Sequence, residues 1–309
     1  MARPARLWHV TGLLVMLLGL ALAGCGNDEG PGYQPRYSEK PVSRTQQYIF
    51  GIAPQHNPQK LHEVFNPLIE HLNAKLAGLG VEFRLEASRS YEEYLSKLKG
   101  GIFHFAMHNP YHTVVSVEHG YTIIAKYQDD GDFRGIILTR KDSGIRSVAD
   151  LKGKTVSYPA PTAMAATLMT QMFLQEHGLK VMQEVRNVYV GSLESSIMSV
   201  YLGQSAAGTT WPPPWRKFQK DRPDIAGKLE VKWQTEPLPS IGIVARKDVP
   251  QALAVAVADV LFGLKETPAG REVLRQISCP GFEPATEATY EPVRRFLEKF
   301  RREVRPHEE

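Results

Sequence analysis

The sequence has 309 residues, 42% hydrophobic and 23% charged, which is enough apolar material for one large or two medium domains with a buried core and excludes a disordered chain. The formal net charge is +4. Arg3 and Arg6 belong to an N-terminal segment, no long basic run occurs elsewhere, and the remaining balance argues against a nucleic-acid partner.

In chain order, residues 1–24 read as a targeting signal. Arg3 and Arg6 form a positive start, and "TGLLVMLLGLALA" (11–23) is an apolar stretch too short to span a membrane comfortably. It ends in Leu22-Ala23-Gly24-Cys25, which resembles the bacterial lipoprotein lipobox, in which the cysteine is acylated and becomes the new N-terminus. A plain signal peptide or an uncleaved anchor is the alternative. Residues 25–46, rich in Gly, Pro, Ser and charge, read as a flexible tether. Cys279 is the other cysteine. It has no internal disulfide partner in an exported chain and is expected to be buried as a small apolar residue.

"QYIFGIAP" (47–54) is a strand ending in proline. Leu61, Val64, Phe65, Leu68, Ile69, Leu72 and Leu76 recur at helical spacing. "VEFRLEAS" (81–88) alternates as a strand, and "YEEYLSKLKGG" (91–101) is a helix stopped by glycines. "IFHFAMHNP" (102–110) and "YTIIAKYQ" (121–128) are strands. This β-α-β order predicts a parallel or mixed sheet with helices on both faces. A second set follows: a strand in "RGIILTR", a strand in "KTVSY", and a helix over 162–177 with Ala165, Leu168, Met169, Met172 and Phe173 on one stripe. Further on come the strand "VRNVYVGS", the helix "SLESSIMSVYLGQ" and the strand "AAGTTW", which leads into "WPPPWRKF". Two strands broken by prolines complete the set, and the last 60 residues are mainly helical. Two α/β lobes result, 47–142 with 238–309 and 143–237, joined by a two-strand hinge with a ligand cleft between them.

Five stretches in this order resemble one family, the phosphate/phosphite/phosphonate-type (PhnD-like) periplasmic substrate-binding lipoproteins of ABC transporters. "FGIAPQHNPQKLHEVFNPLIEHL" is similar to the family's opening strand, Pro-containing loop and first helix. "SYEEYLSKLKGGIFHFAMHNPYH" resembles its Tyr-bearing helix and following strand and turn. "RKDSGIRSVADLKGKTVSY", "YVGSLESSIMSVYLGQSAAG" and "GFEPATEATYEPVR" resemble later motifs. The resemblance covers 47 to about 297. It implies a type II two-lobe α/β fold, a small-molecule anion as ligand, and an ABC permease or a membrane sensor as partner. A monomer on the periplasmic side of a bacterial membrane is expected, lipid-anchored at Cys25, with no cofactor.

The departures from the family pattern concern the ligand. Phosphonate binders usually carry Ser-Thr-Ser-Gly at the start of the second-lobe helix; here Ala163, Met164, Ala165 and Ala166 align there. The histidine and acid of a second motif fall at Leu193 and Glu194, and two further acids fall at Ala206 and His104. A buried oxyanion needs its oxygens hydrogen-bonded, and each bond to a charged group is worth about 1.5–3 kcal/mol. Losing three hydroxyl donors would therefore weaken phosphonate binding by several powers of ten. Backbone N–H groups remain at the helix start, where the dipole is positive, and Thr162 and Thr167 flank them. A larger anion, or a different solute or metal signalling to a membrane sensor, stays open.

The ligand-contacting residues expected are Gln55 and His56 after the first strand, at the sheet end where open α/β sheets bind ligands, with Tyr91, Asn109 and Tyr111 on the first lobe. Thr162, Ala163, Met164, Ala165, Thr167, Ser192 and Trp211 come from the second. Ser192 is equally an N-cap. Trp211 and Trp215 either face the cleft or pack against the lobe. His104 and His108 on one strand would stand about 13 Å apart, too far to share an ion, and no metal site is expected. No nucleophile elbow, zinc-type His-Glu-x-x-His or phosphate loop occurs, so no enzymatic activity is expected.

Overall fold

The computed structural model describes residues 45–307. The signal segment 1–24, Cys25 and nearly all of the tether 25–46 lie outside them; Gln46, the tether's expected end, already opens the first strand.

The first lobe begins with β1 (Gln46–Ile52), α1 (Pro58–Leu76), β2 (Val81–Ala87), α2 (Tyr91–Lys99), β3 (Phe105–His108), α3 (Pro110–Glu118) and β4 (Tyr121–Tyr127). Local sequence sets these limits. Asn57 caps α1 by accepting from Lys60 N at 2.9 Å, with Pro58 in the first turn where its missing N–H costs nothing. The helix buries Leu61, Phe65, Leu68, Ile69, Leu72 and Leu76 on one face, the stripe that the spacing predicts. Ser90 and Asn109 cap α2 and α3 in the same way. β1 runs parallel to β2 and β3, so the helices between them cross over as βαβ units. After the second lobe the chain returns as β10 (Gly242–Arg246), which inserts antiparallel between β3 and β4. Helices Gln251–Phe262, Pro268–Gln276 and Glu291–Glu303 follow, with a two-residue strand, β11 (Phe282–Glu283), pairing on β4. The six-stranded order is β11-β4-β10-β3-β1-β2.

The second lobe holds β5 (Ile136–Arg140), β6 (Thr155–Tyr158), β7 (Arg186–Tyr189), β8 (Ala207–Thr210) and β9 (Leu229–Gln234), ordered β7-β6-β8-β5-β9. β5 pairs antiparallel with β8 and β9. The chain therefore crosses between lobes at 128–135, upstream of the expected 142, and returns at 235–241. An apolar strand such as "RGIILTR" satisfies either sheet; its partners decide which.

Two further differences concern helices. The expected helix over 162–177 opens as a π-helix, Met164–Met169, before continuing as an α-helix, Thr170–Glu176. The Ala163 carbonyl accepts from both Thr167 N at 2.8 Å and Leu168 N at 3.3 Å, which widens the first turn. The stretch after the strand "AAGTTW", given no helix from its pattern, forms one over Pro212–Asp221, because prolines fit a first turn that has no N–H bonds to lose. Trp215 is buried in the second lobe against Phe218, with ring centroids 6.0 Å apart, and Cys279 is also buried.

Candidate functional site

Every parallel strand of both lobes ends at the same place. The residues that follow β1, β2 and β3 in the first lobe and β6, β7 and β8 in the second converge on one cleft of about 430 Å³, counting its open mouth. This is the carboxyl-end rule of open α/β sheets, applied twice across a hinge. Ala53 and Gln55 enter from β1, Tyr91 from β2 and Asn109 from β3. Ala163, Met164, Ala165 and Ala166 come from the turn after β6, Leu193 from the loop after β7, and Trp211 from the end of β8. Phe133 and Ile241, one on each crossing, close the back.

The crossings are tied to each other. Leu238 N donates to Phe133 O at 3.1 Å, and Thr235 N donates to Gly135 O at 2.9 Å. Asp130 accepts from Ser240 N at 2.9 Å and from the buried Lys126 at 2.8 Å, and Lys126 also pairs with Glu283. The back wall is thereby fixed in position relative to the first sheet.

Each polar group in the lining has a defined state. Burial pushes the Tyr91 hydroxyl up to about 12, so at neutral pH it is a neutral donor. Its ring stacks on His112, with centroids 5.8 Å apart. Asn109 caps α3: its Oδ1 accepts from His112 N at 3.1 Å and meets His112 Nδ1 at 3.1 Å. Its Nδ2 donates across the cleft to Thr162 O at 3.3 Å, which leaves one amide hydrogen for a ligand. The N–H groups of the first turn at 164–166 have no acceptor within their helix, and the residues that carry them line the cleft. No charged side chain stands among the described residues that line it.

Seven of the expected contact residues meet here: Gln55, Tyr91, Asn109, Ala163, Met164, Ala165 and Trp211. Five do not line the cleft. Thr167 is buried, and its hydroxyl donates to Ala160 O at 2.8 Å, holding the loop that leads into the π-helix. Thr162 is buried and offers its carbonyl to Asn109. Ser192 is the N-cap of helix Leu193–Tyr201, accepting from Ser195 N at 3.0 Å. Tyr111 is fully buried, edge-on to His112 and His307. His56 is half-buried beside the cleft, its imidazole held low by burial first and then by Lys60 and Lys217.

His104 and His108 serve the fold. His104 lies before β3 and accepts from Ile49 N at 3.0 Å. His108 is fully buried, with Nδ1 2.8 Å from the Tyr94 hydroxyl. Among the described residues no group of three or more His, Cys, Asp or Glu side chains could hold a metal ion.

Sequence reasoning missed Ala53, Phe133, Ala166, Leu193 and Ile241. Leu193 stands where the family motif places a histidine, so that alignment was the available signal. Phe133 and Ile241 lie on the crossings and carry no local pattern at all.

A family model described as "ABC transporter, phosphonate, periplasmic substrate-binding protein" matches residues 50–290. PhnD1 from Prochlorococcus marinus (MIT 9301), in complex with methylphosphonate, superposes with a TM-score of 0.75 at 18% identity, covering 82% of this chain and 98% of that one. A binding protein component of an ABC phosphonate transporter from Pseudomonas aeruginosa gives 0.75 at 16% identity, over 84% of this chain and 87% of that one. A Xanthomonas citri protein bound to ATP gives 0.70 at 16% identity, over 84% and 99%. These likenesses show the type II periplasmic binding protein fold. With the match spanning most of the sequence, the chain belongs to the family of phosphonate ABC-transporter periplasmic substrate-binding proteins.

Proposed function

We propose that this protein is the extracytoplasmic capture component of an ABC importer and that it closes its two lobes on a small phosphorus oxyanion. The carrying observation is the arrangement across the cleft: the unbonded first-turn N–H groups at 164–166 lie on one wall, and Tyr91 and Asn109 on the other. A helix start supplies oriented donors and a positive dipole end for an anion. Tyr91 and the remaining Asn109 amide hydrogen supply donors from the opposite lobe, so binding favours the closed state and no bond in the solute is broken. The lobes carried by the two sheets would move about the crossings at 128–135 and 235–241. Cys25, outside the described residues, would carry the lipid. Among the described residues no helix is long and apolar enough to cross a membrane.

The test is thermal unfolding of the full chain against phosphate, phosphite and a series of phosphonates. A ligand at 100 times its dissociation constant adds about 2.7 kcal/mol, or roughly 5–10 °C at this size. Tyr91→Phe removes one bond to a charged oxygen and is expected to weaken binding about 10- to 100-fold. A response to sulfonates, carboxylates or metal ions, with none to phosphorus compounds, would reject the ligand class.

A further inference from the structure

Resting on that reading of the cleft, we propose that the solute carries one negative charge and an apolar substituent: an alkyl- or aryl-bearing phosphonate monoester or its chemical equivalent, in preference to a phosphate or phosphite dianion.

The charge limit comes from what surrounds the cleft. Its donors are neutral: the Gln55 amide, the Tyr91 hydroxyl, one Asn109 hydrogen and the backbone at 164–166. The positive end of a helix is equivalent to roughly half an elementary charge. That balances much of a monoanion and leaves the second charge of a dianion buried without a cation, which is strongly unfavourable. None of the nearby cations lines the cleft; Lys60 pairs with Glu63 and Lys217 with Asp221. Arg216 pairs with Asp132, and Arg305 donates to Pro161 O at 2.8 Å and Gln171 Oε1 at 3.1 Å.

The substituent follows from the other lining. Ala163, Ala165 and Ala166 leave a shallow trough where longer side chains would fill the space, and Met164 and Leu193 flank it. Trp211 and Phe133, with ring centroids 5.5 Å apart, wall off the far side. Trp211 is half-buried, packs against the first-lobe core cluster and lines the cleft. An aromatic or alkyl group seated there gains about fourfold in affinity per buried methylene.

The experiment is titration calorimetry of the full chain at pH 7.5 with inorganic phosphate, phosphite, methylphosphonate, phenylphosphonate and the monoethyl ester of phenylphosphonate. The expected result is tightest binding by the phenyl monoester, at least tenfold over phosphate. In Ala163→Ser/Ala165→Ser, two hydroxyl donors return and the phosphate disadvantage is expected to shrink. Phosphate or phosphite binding as tightly as the monoester would overturn this inference and leave the proposed function standing. Silence from all five compounds would overturn both.

Discussion

His112 sits inside the first lobe as a neutral imidazole. Burial holds it down to about 3, and His108 beside it is held well below its usual range by burial and then by the charge of His112. In the unfolded chain both would titrate near 6.5. The unfolded state therefore takes up protons that the folded state refuses, and stability is complete above pH 6.5 and falls as pH drops toward 3. His112 alone should cost about 2 kcal/mol between pH 7.5 and pH 5, with His108 adding in the same direction. Urea unfolding at the two pH values checks this: His112→Gln should flatten the profile, and a pH-independent midpoint in the parent chain would contradict it. Gly135 makes a second residue-level case. A Cβ there would run into the Ala165 carbonyl oxygen and Thr170 Cγ2. Gly135→Ala must push back the turn that forms the second-lobe wall, and it should lower stability by about 1–3 kcal/mol and weaken ligand binding together. A stable variant with normal binding would show that the turn is softer than its packing implies.

Among the elements, the π-helix start and the C-terminal helix decide how the lobes meet. Thr167 and Thr170 hydroxyls bond backbone carbonyls around the widened turn, to Ala160 O at 2.8 Å and Ala166 O at 2.8 Å. Met164, Leu168, Met169 and Met172 share a core cluster with the first sheet. The last helix, Glu291–Glu303, packs in the first lobe through Val293, Leu297 and Phe300. Arg305, just beyond it, reaches Pro161 and Gln171 in the second, and Lys299 pairs with Glu176. This tail ties the second lobe to the first as a strap. Arg305→Ala should enlarge the ligand-free protein in small-angle scattering. It should also weaken binding about fivefold, since apparent affinity scales with the closed fraction. Unchanged scattering and affinity would remove the strap from the account.

Over the whole molecule, two sheets place their carboxyl ends toward each other, and the crossings lock the back wall through Asp130, Lys126 and Ser240. This arrangement brings together residues far apart in the chain, from Ala53 to Ile241. The cleft's chemistry is a property of this assembly: each loop contributes one or two side chains, and no single motif contains the site.

Most element types, the order of two βαβ-rich sets and the positions that loops after parallel strands present are legible in the sequence alone. Capping residues such as Asn57, Ser90 and Asn109, and periodic stripes such as Leu61 to Leu76, act over a few residues and are legible there. It also made visible the loss of hydroxyls at 163–166, which became the neutral wall of the cleft. Tertiary structure alone decided the rest. Strand β5 went to the second sheet because pairing partners, not local pattern, choose a strand's sheet. Thr167 and Tyr111 turned inward because the backbone around them needed their bonds or their volume. Phe133 and Ile241 entered the cleft because two crossings distant in sequence are hydrogen-bonded side by side, a placement that no local pattern encodes.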